Sequence, residues 1–200
     1  DFENLRAGRE PVFGADRGVI LACAGGAAPV VEKFDHAREF DDIDAAVAVV
    51  DPELGSLVPA LVEGGRRWWM AELASEAELR AWRPDHGLIA TLAKGSDSLG
   101  LCVFARAEDP GSGYQLVVRA FPAGVGIVED PASGAANGLI GAYIALSDPS
   151  GPLAQGYRVS QGREIGRDAV IDVEIDGDTR EWGGGRTHLV IDGALHWPGN

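Results

Sequence analysis

Residues 118–138 read VRAFPAGVGIVEDPASGAANG, and this stretch of the 200-residue chain decides its fold. It predicts a strand, then a loop rich in glycine, then a helix that starts among small residues. Asp130 comes just before the predicted helix start. A helix N-terminus offers unpaired backbone N–H groups and the positive end of the helix dipole, so it can receive an anion while a carboxylate works beside it.

The chain continues into a helix, predicted over about Ala135–Leu146, that is apolar on almost every side. A helix without a polar face is normally buried. Apolar segments between turn residues are candidate strands. They cover residues 19–23, 29–34, 66–73, 99–105, 116–121, 171–176 and 187–191, with Gly183–Gly185 as the turn between the last two. The predicted fold class is α+β, a mostly antiparallel sheet or barrel wrapped around one central buried helix.

Three shorter helices are predicted, at residues 43–50, 76–82 and 86–93. Asp42 is placed to cap the first of them. Ser75 and Glu78 have the spacing of a capping box at the start of the second. The sequence contains no repeat of fixed period, and its length suits one large domain or two small ones.

The chain is strongly acidic, with 17 Lys and Arg residues against 31 Asp and Glu residues and a formal net charge of −14. Nucleic acids and anionic membranes favour positive charge, so neither is predicted as a partner. No apolar run approaches the roughly 20 residues of a membrane-spanning helix, and the first residues do not resemble a signal peptide. Since Cys23 and Cys102 follow no metal or redox spacing, the simplest prediction is a cytoplasmic protein with reduced thiols.

Asp130 is the first candidate for chemistry, and two interpretations are open. Acidic residues are common at helix starts because they accept hydrogen bonds from unpaired N–H groups, so Asp130 could simply cap the helix. Alternatively, a partly desolvated carboxylate could take a proton from carbon or return one. Glu129 is a second candidate, although adjacent residues usually point in different directions.

The helix start itself is the second candidate site. The small residues there leave the N–H groups of the first turn uncovered, where they could hold a substrate carboxylate. The alternative is that small residues only let the helix start pack tightly. The residues concerned are Ser133, Gly134, Ala135 and Ala136.

Other motifs indicate less. Cys23 lies near a glycine-rich turn and could pair with Cys102 as acid and base, but Cys102 lies in an apolar strand typical of a buried structural thiol. The four histidines show no metal-ligand spacing, so no metal site is predicted. The chain contains no P-loop, nucleophile elbow or dinucleotide-binding motif, and the default position for its five tryptophans is the core.

Residues 125–138 resemble the PhzF-like family of phenazine-biosynthesis-type isomerases, which typically shows the pattern G-V-x-E-D-P-x-T-G-S-A-x-G here. Residues 79–85 are similar to the family's L-x-x-L-x-P-D segment, and residues 159–167 to its Q-G-x-x-x-G-R segment. Further similarity lies at residues 119–123, 184–186 and 191–195. The resemblance covers about Leu57–Leu195.

The resemblance implies a diaminopimelate epimerase-like fold of two similar lobes with the active site between them. It also implies isomerisation of a small carboxylate-bearing metabolite by proton transfer, without metal or organic cofactor, in a homodimer. Asp130 matches the family's Asp. The chain departs from the pattern in two ways. Ala135 replaces the family serine, and the N-terminal motifs that carry the family's catalytic Glu are not found.

Two hypotheses follow from the residues and the resemblance together. The first is a PhzF-type isomerase of secondary metabolism, with its second carboxylate supplied by Glu32, Glu63 or a second chain. The second is a diverged, non-catalytic domain that binds a small molecule or pairs with a partner chain. In both, residues 1–50 form a reduced N-terminal segment or the remnant of a first lobe, and residues 51–200 form the C-terminal lobe.

Overall fold

The computed structural model of the chain describes residues 18–22, 30–31, 40–64, 66–175 and 181–186. The described residues form nine strands and four α-helices. The strands are β1 Gly18–Ala22, β2 Val30–Val31, β3 Ala60–Glu63, β4 Arg67–Glu72, β5 Gly100–Arg106, β6 Leu116–Phe121, β7 Gly156–Gln161, β8 Ala169–Ile175 and β9 Glu181–Arg186. The helices are α1 Phe40–Val49, α2 Glu76–Ala81, α3 His86–Gly95 and α4 Gly134–Ser147.

The strands form a single mixed sheet in the order β1-β9-β8-β7-β6-β5-β4-β3-β2. The β4–β5 and β6–β7 pairs are parallel, and the other pairs are antiparallel. Strands and helices thus combine as the predicted α+β class requires, and the sheet is largely antiparallel. The strands β1 and β2 lie at its two edges.

Helix α4 is the centre around which the sheet curls. It contacts β8 and β9 towards one end of the strand order, and β2 and β3 at the other end. Side chains alternate along each strand, so Cys102 and Phe104 of β5 face α4 while Leu101 and Val103 face away. Burial of α4 on all sides, predicted from its apolar sequence, is confirmed along most of its length.

Glycine lets α4 approach the sheet closely. A Cβ atom at Gly141 would lie 3.2 Å from Val173 Cγ1 and 3.3 Å from Ile175 Cδ1. These distances are tighter than ordinary packing contacts, so a larger residue would push the helix away from β8.

The outer face of the sheet carries a second hydrophobic layer. Helices α2 and α3 pack on β5, and α1 packs against α3. Trp69, Trp82 and Phe121 are buried in this layer, as expected for tryptophans in a core. Within the described residues, no helix is long and apolar enough to cross a membrane.

Several predicted elements are confirmed. Ser75 Oγ accepts a hydrogen bond from Glu78 N and so caps α2. The strand predicted at residues 116–121 is β6, and the helix predicted over about Ala135–Leu146 is α4, which is one residue longer at each end.

Two local predictions are wrong. Helix α1 begins at Phe40, so position 42 lies inside its first turn and not at the N-cap position. Gly183–Gly185 form the middle of β9 and not a turn, because β1 and β8 pair with this segment on both sides. The strand predicted at residues 187–191 lies outside the described residues. The partner of β8 is therefore β9 itself.

Glu72 is a buried carboxylate at the end of β4, only 2% exposed. It accepts hydrogen bonds from Ser56 N at 2.8 Å, Leu57 N at 2.9 Å and Arg106 Nε at 2.9 Å. Burial is the largest single influence on the pKa of Glu72 and raises it. The hydrogen bonds from Leu57, Arg106 and Ser56 together outweigh burial, so the pKa lies below its ordinary value of 4.5.

We expect Glu72→Gln to lower the free energy of unfolding at pH 7 by about 1–3 kcal/mol, because the buried donors lose their charged acceptor. A carboxyl group with a lowered pKa stabilises the fold above its unfolded pKa, and this contribution is lost as pH falls through the folded pKa. The difference between wild type and variant should therefore shrink below about pH 4.5. Urea unfolding at a series of pH values measures it.

The matched control is Glu63→Gln, at a carboxylate whose side chain is 52% exposed and lies 3.7 Å from Arg67. This change should cost little at pH 7. An equal cost for both substitutions, or a Glu72→Gln deficit that persists unchanged into strong acid, contradicts the prediction.

Candidate active site

Asp130 lies beside the end of β6. After β6 the chain makes a short 3-10 turn over Ala123–Val125 and returns. Asp130 N then donates a hydrogen bond to Ala120 O at 2.8 Å. This bridge places the Asp130 backbone at the rim of the sheet, immediately before α4.

The Asp130 side chain does not cap α4, so the capping interpretation is wrong. Ser133 is the cap, and its Oγ accepts from Ala136 N at 3.3 Å. Asp130 Oδ1 instead accepts from Ala132 N at 3.1 Å, in an Asx turn that ends before the helix. Within the described residues the other carboxylate oxygen has no hydrogen-bond partner. One oxygen of this partly exposed carboxylate is therefore fixed by the Asx turn, and the other can contact a ligand.

Among the described residues, two backbone N–H groups in the first turn of α4 are unpaired. The Ser133 amide donates to Gln161 Oε1 at 3.3 Å, and the Asn137 amide donates to Ser133 O at 3.1 Å. The amides of Gly134 and Ala135 have no acceptor in the part of the chain that the structure describes. Because Ala135 is exposed and small, an anion could reach both of these N–H groups.

Glu129 points away from Asp130 and is engaged elsewhere. Arg119 Nε and Nη2 donate to its two carboxylate oxygens at 2.9 and 2.8 Å, and both side chains are 4% exposed. Arg119 Nη1 also donates to Leu79 O and Trp82 O at the end of α2. The predicted substrate contact of Glu129 stays a prediction. The observed contacts tie the loop before Asp130 to the outer layer.

Gln161 and Asn137, which are not among the predicted site residues, connect these parts. Gln161 Nε2 donates to Asp130 O at 2.8 Å, and Gln161 Oε1 accepts from Asn137 Nδ2 at 2.8 Å. Both residues are fully buried. The sequence carries two signals for them: Gln161 begins the Q-G-x-x-x-G-R segment, and Asn137 is a polar residue within a mostly apolar helix.

The segment after Gln161 passes very close to the segment after Asp130. Gly162 has a φ of +89°, and a Cβ atom there would lie 2.6 Å from Pro131 O. The residue at this position must therefore be glycine for two reasons, the left-handed backbone and the close approach. Gly166, four residues on, has a φ of +74° but open space around it.

A cleft of about 790 Å³ opens beside the start of α4 and includes Ala132 and Gly134 in its lining. Arg158 and Arg163 also line it, but each is paired. Arg158 Nε lies 2.6 Å from Asp172, and Arg163 Nε lies 2.6 Å from Asp168. The cleft therefore has mixed charge, with the uncovered helix amides at one end.

The remaining candidates contribute little to this site. Burial and the nearby Asp130 carboxylate raise the pKa of the Cys102 thiol well above its ordinary value, which disfavours the thiolate. Cys23 and Glu32 lie outside the described residues, and Glu63 is exposed near Arg67. No three His, Cys, Asp or Glu side chains form a possible metal site among the residues described.

The fold is a curled mixed sheet around a buried helix, and the Asp130 carboxylate lies just before the start of that helix. The chain belongs to the phenazine biosynthesis-like protein family, because the family model matches residues 4–193. Its sequence is 28% identical to the trans-2,3-dihydro-3-hydroxyanthranilate isomerase of Pseudomonas aeruginosa over an alignment that covers 94% of this chain and 67% of that protein. It is 30% identical to the uncharacterized isomerase YddE of Escherichia coli over 66% of this chain and 44% of that protein.

Solved structures of the family have the same fold. The PhzF-family phenazine biosynthesis protein of Bacillus anthracis superimposes with a TM-score of 0.63 at 18% identity, over 88% of this chain and 60% of that chain. This chain thus spans only part of the length of these relatives, 44% of the Escherichia coli protein and 67% of the Pseudomonas protein.

We expect Gly162→Ala to destabilise the fold more than Gly166→Ala. Both substitutions place alanine in a left-handed conformation at a cost of about 1–2 kcal/mol, but only the first also drives a Cβ atom against Pro131 O. Chemical unfolding of both variants measures the difference, in which the common backbone strain cancels. Equal free energies of unfolding would contradict the close approach of the two segments.

Proposed function

We propose that this chain carries one half of the active site of a cofactor-independent isomerase that moves a proton on a small carboxylate-bearing metabolite. The observation that carries the proposal is the pairing of a presented Asp130 carboxylate with two unpaired helix N–H groups, at Gly134 and Ala135. Family membership supports it, since relatives in the family are named isomerases. Ser133 and Ala136 build the first turn that holds the substrate.

The proposed reaction requires the chain to bind the substrate carboxylate and to transfer a proton. The substrate carboxylate accepts hydrogen bonds from the Gly134 and Ala135 amides, which fixes the substrate next to Asp130. Asp130 then takes a proton from a substrate carbon or delivers one to it, and a second acid or base completes the transfer at another atom. The net reaction moves one proton within the substrate and needs no oxidant or reductant.

The second acid or base comes from one of the three candidates that the sequence offers: Glu32, Glu63 or a second chain. Glu63 ends β3, where its side chain is about half exposed. We further propose a diaminopimelate epimerase-like arrangement, in which the site lies between two lobes. The protein would be a cytoplasmic homodimer that acts in secondary metabolism. Residues 1–50 would be a reduced first lobe and residues 51–200 the C-terminal lobe, and strands β1 and β2 of the first segment lie at the edges of the same sheet.

A second candidate function is a diverged domain that binds a small carboxylate without turnover. The observation that favours it is Ala135, which offers an amide but no hydroxyl where the family resemblance places a serine. This candidate keeps the anion-binding helix start and gives up the proton transfer.

Solvent deuterium exchange tests the proposal. The probe is trans-2,3-dihydro-3-hydroxyanthranilate, the compound in the name of the Pseudomonas relative. Incubated in D₂O, the wild-type protein should incorporate deuterium into the probe, measured by mass spectrometry. Asp130→Asn keeps the size of the side chain but removes the acid–base group, so the exchange rate should fall about 10²–10⁴-fold.

The matched control is Asp109→Asn. Asp109 makes the same kind of Asx turn, accepting from Gly111 N at 2.8 Å, in the loop between β5 and β6. Its substitution should leave exchange unchanged. Binding of the probe without any exchange by the wild type would overturn the isomerase proposal and support the non-catalytic domain. Exchange that survives in Asp130→Asn would remove Asp130 from the mechanism.

A further inference from the structure

We infer that Gln161 is a positioning residue that sets the Asp130 carboxylate at its working distance from the anion-binding start of α4. This inference rests on the proposed function for its catalytic consequence. Gln161 itself is buried and reaches the substrate only through the two segments that it joins.

The donor end of Gln161 holds the aspartate. Gln161 Nε2 donates to Asp130 O at 2.8 Å, across 31 positions of sequence. Among the described residues, the other hydrogen bonds of Asp130 run from its backbone N–H to Ala120 O and from Ala132 N to its own Oδ1. Gln161 therefore supplies a side-chain tie between the Asp130 carbonyl and β7.

The acceptor end of Gln161 holds the helix. Gln161 Oε1 accepts from Ser133 N at 3.3 Å and from Asn137 Nδ2 at 2.8 Å. Asn137 Nδ2 also donates to Ser133 O at 2.7 Å. These bonds fix which end of each amide group is the donor, because the nitrogen of Asn137 has two oxygen partners.

The amide nitrogen of Gln161 therefore contacts Asp130, and its amide oxygen contacts the start of α4. The helix start also has bonds that do not involve Gln161, from Ala136 N to Ser133 Oγ and from Asn137 N to Ser133 O. The Asp130 carbonyl accepts from Gln161 Nε2 at 2.8 Å, and an antiparallel bridge to Ala120 holds the same backbone segment. Loss of the donor end should displace Asp130 and leave the anion-binding turn in place.

Gln161→Glu separates these two contacts. The substituted carboxylate has the same shape and still accepts from Ser133 N and Asn137 Nδ2, but once ionised it cannot donate to Asp130 O. With trans-2,3-dihydro-3-hydroxyanthranilate as substrate, we expect kcat to fall about 10- to 100-fold, because small displacements of a reacting group cost this much. KM should change less than about threefold, because the turn that binds the carboxylate is kept.

Two further variants guard against a trivial loss of folding. Gln161→Met is uncharged and similar in length, but it removes both ends, so we expect a lower kcat and a higher KM together. Gln115→Glu is the matched control, since Gln115 is exposed and its Oε1 accepts from Arg158 N at 2.8 Å. It should keep wild-type values.

Amide hydrogen exchange in the absence of substrate provides a readout that does not depend on activity. Peptides that cover residues 128–137 should exchange at least about tenfold faster in Gln161→Glu than in Gln115→Glu, because local opening loses a buried hydrogen bond. A kcat within twofold of wild type in both folded variants, Gln161→Glu and Gln161→Met, overturns the inference. If the wild type shows no turnover, the proposed function fails, and unchanged exchange in Gln161→Glu would then overturn the positioning role separately.

Discussion

The burial of α4 is the constraint on which the rest of the structure depends. A helix with apolar residues on nearly every side must be surrounded, and one sheet can surround it only by curling. The strand order places β2 and β3 at one end and β8 and β9 towards the other, and α4 contacts both groups. Gly141 brings the helix close to β8. The N-terminus of α4 consequently emerges at the rim of the sheet, next to the end of β6.

Polar groups at that rim must find partners within an apolar surrounding, since an unpaired buried donor or acceptor costs about 1–3 kcal/mol. Ser133, Asn137 and Gln161 satisfy most of them through one connected network. Arg119 and Glu129 do the same on the outer face. Among the described residues, this arrangement leaves unpaired the buried Asn137 Oδ1, the Gly134 and Ala135 amides and one oxygen of Asp130. The two amides and the Asp130 oxygen are where a ligand could bind.

Much of the fold could be predicted from the sequence, because α4, β6 and the Ser75 cap depend on local periodicity and capping chemistry. The Gly183–Gly185 segment could not, since its pairing with β1 and β8 is set by distant strands. In the candidate site, the position of Asp130 just before α4 could be predicted. Its interpretation as the helix cap was wrong, because Ser133 accepts the hydrogen bond from the first turn. The role of Gln161 depends on a contact across 31 residues, which no local pattern contains.

The central claim is that the Gly134 and Ala135 amides receive a carboxylate beside Asp130. The most direct test is an ¹H–¹⁵N NMR titration of the protein with anthranilate, a small aromatic carboxylate. The account predicts that the largest saturable amide shifts occur at Gly134 and Ala135, with smaller shifts at Asp130. Saturable shifts centred instead on Arg158 and Arg163 of the cleft, or no saturable shift at the start of α4, would contradict it.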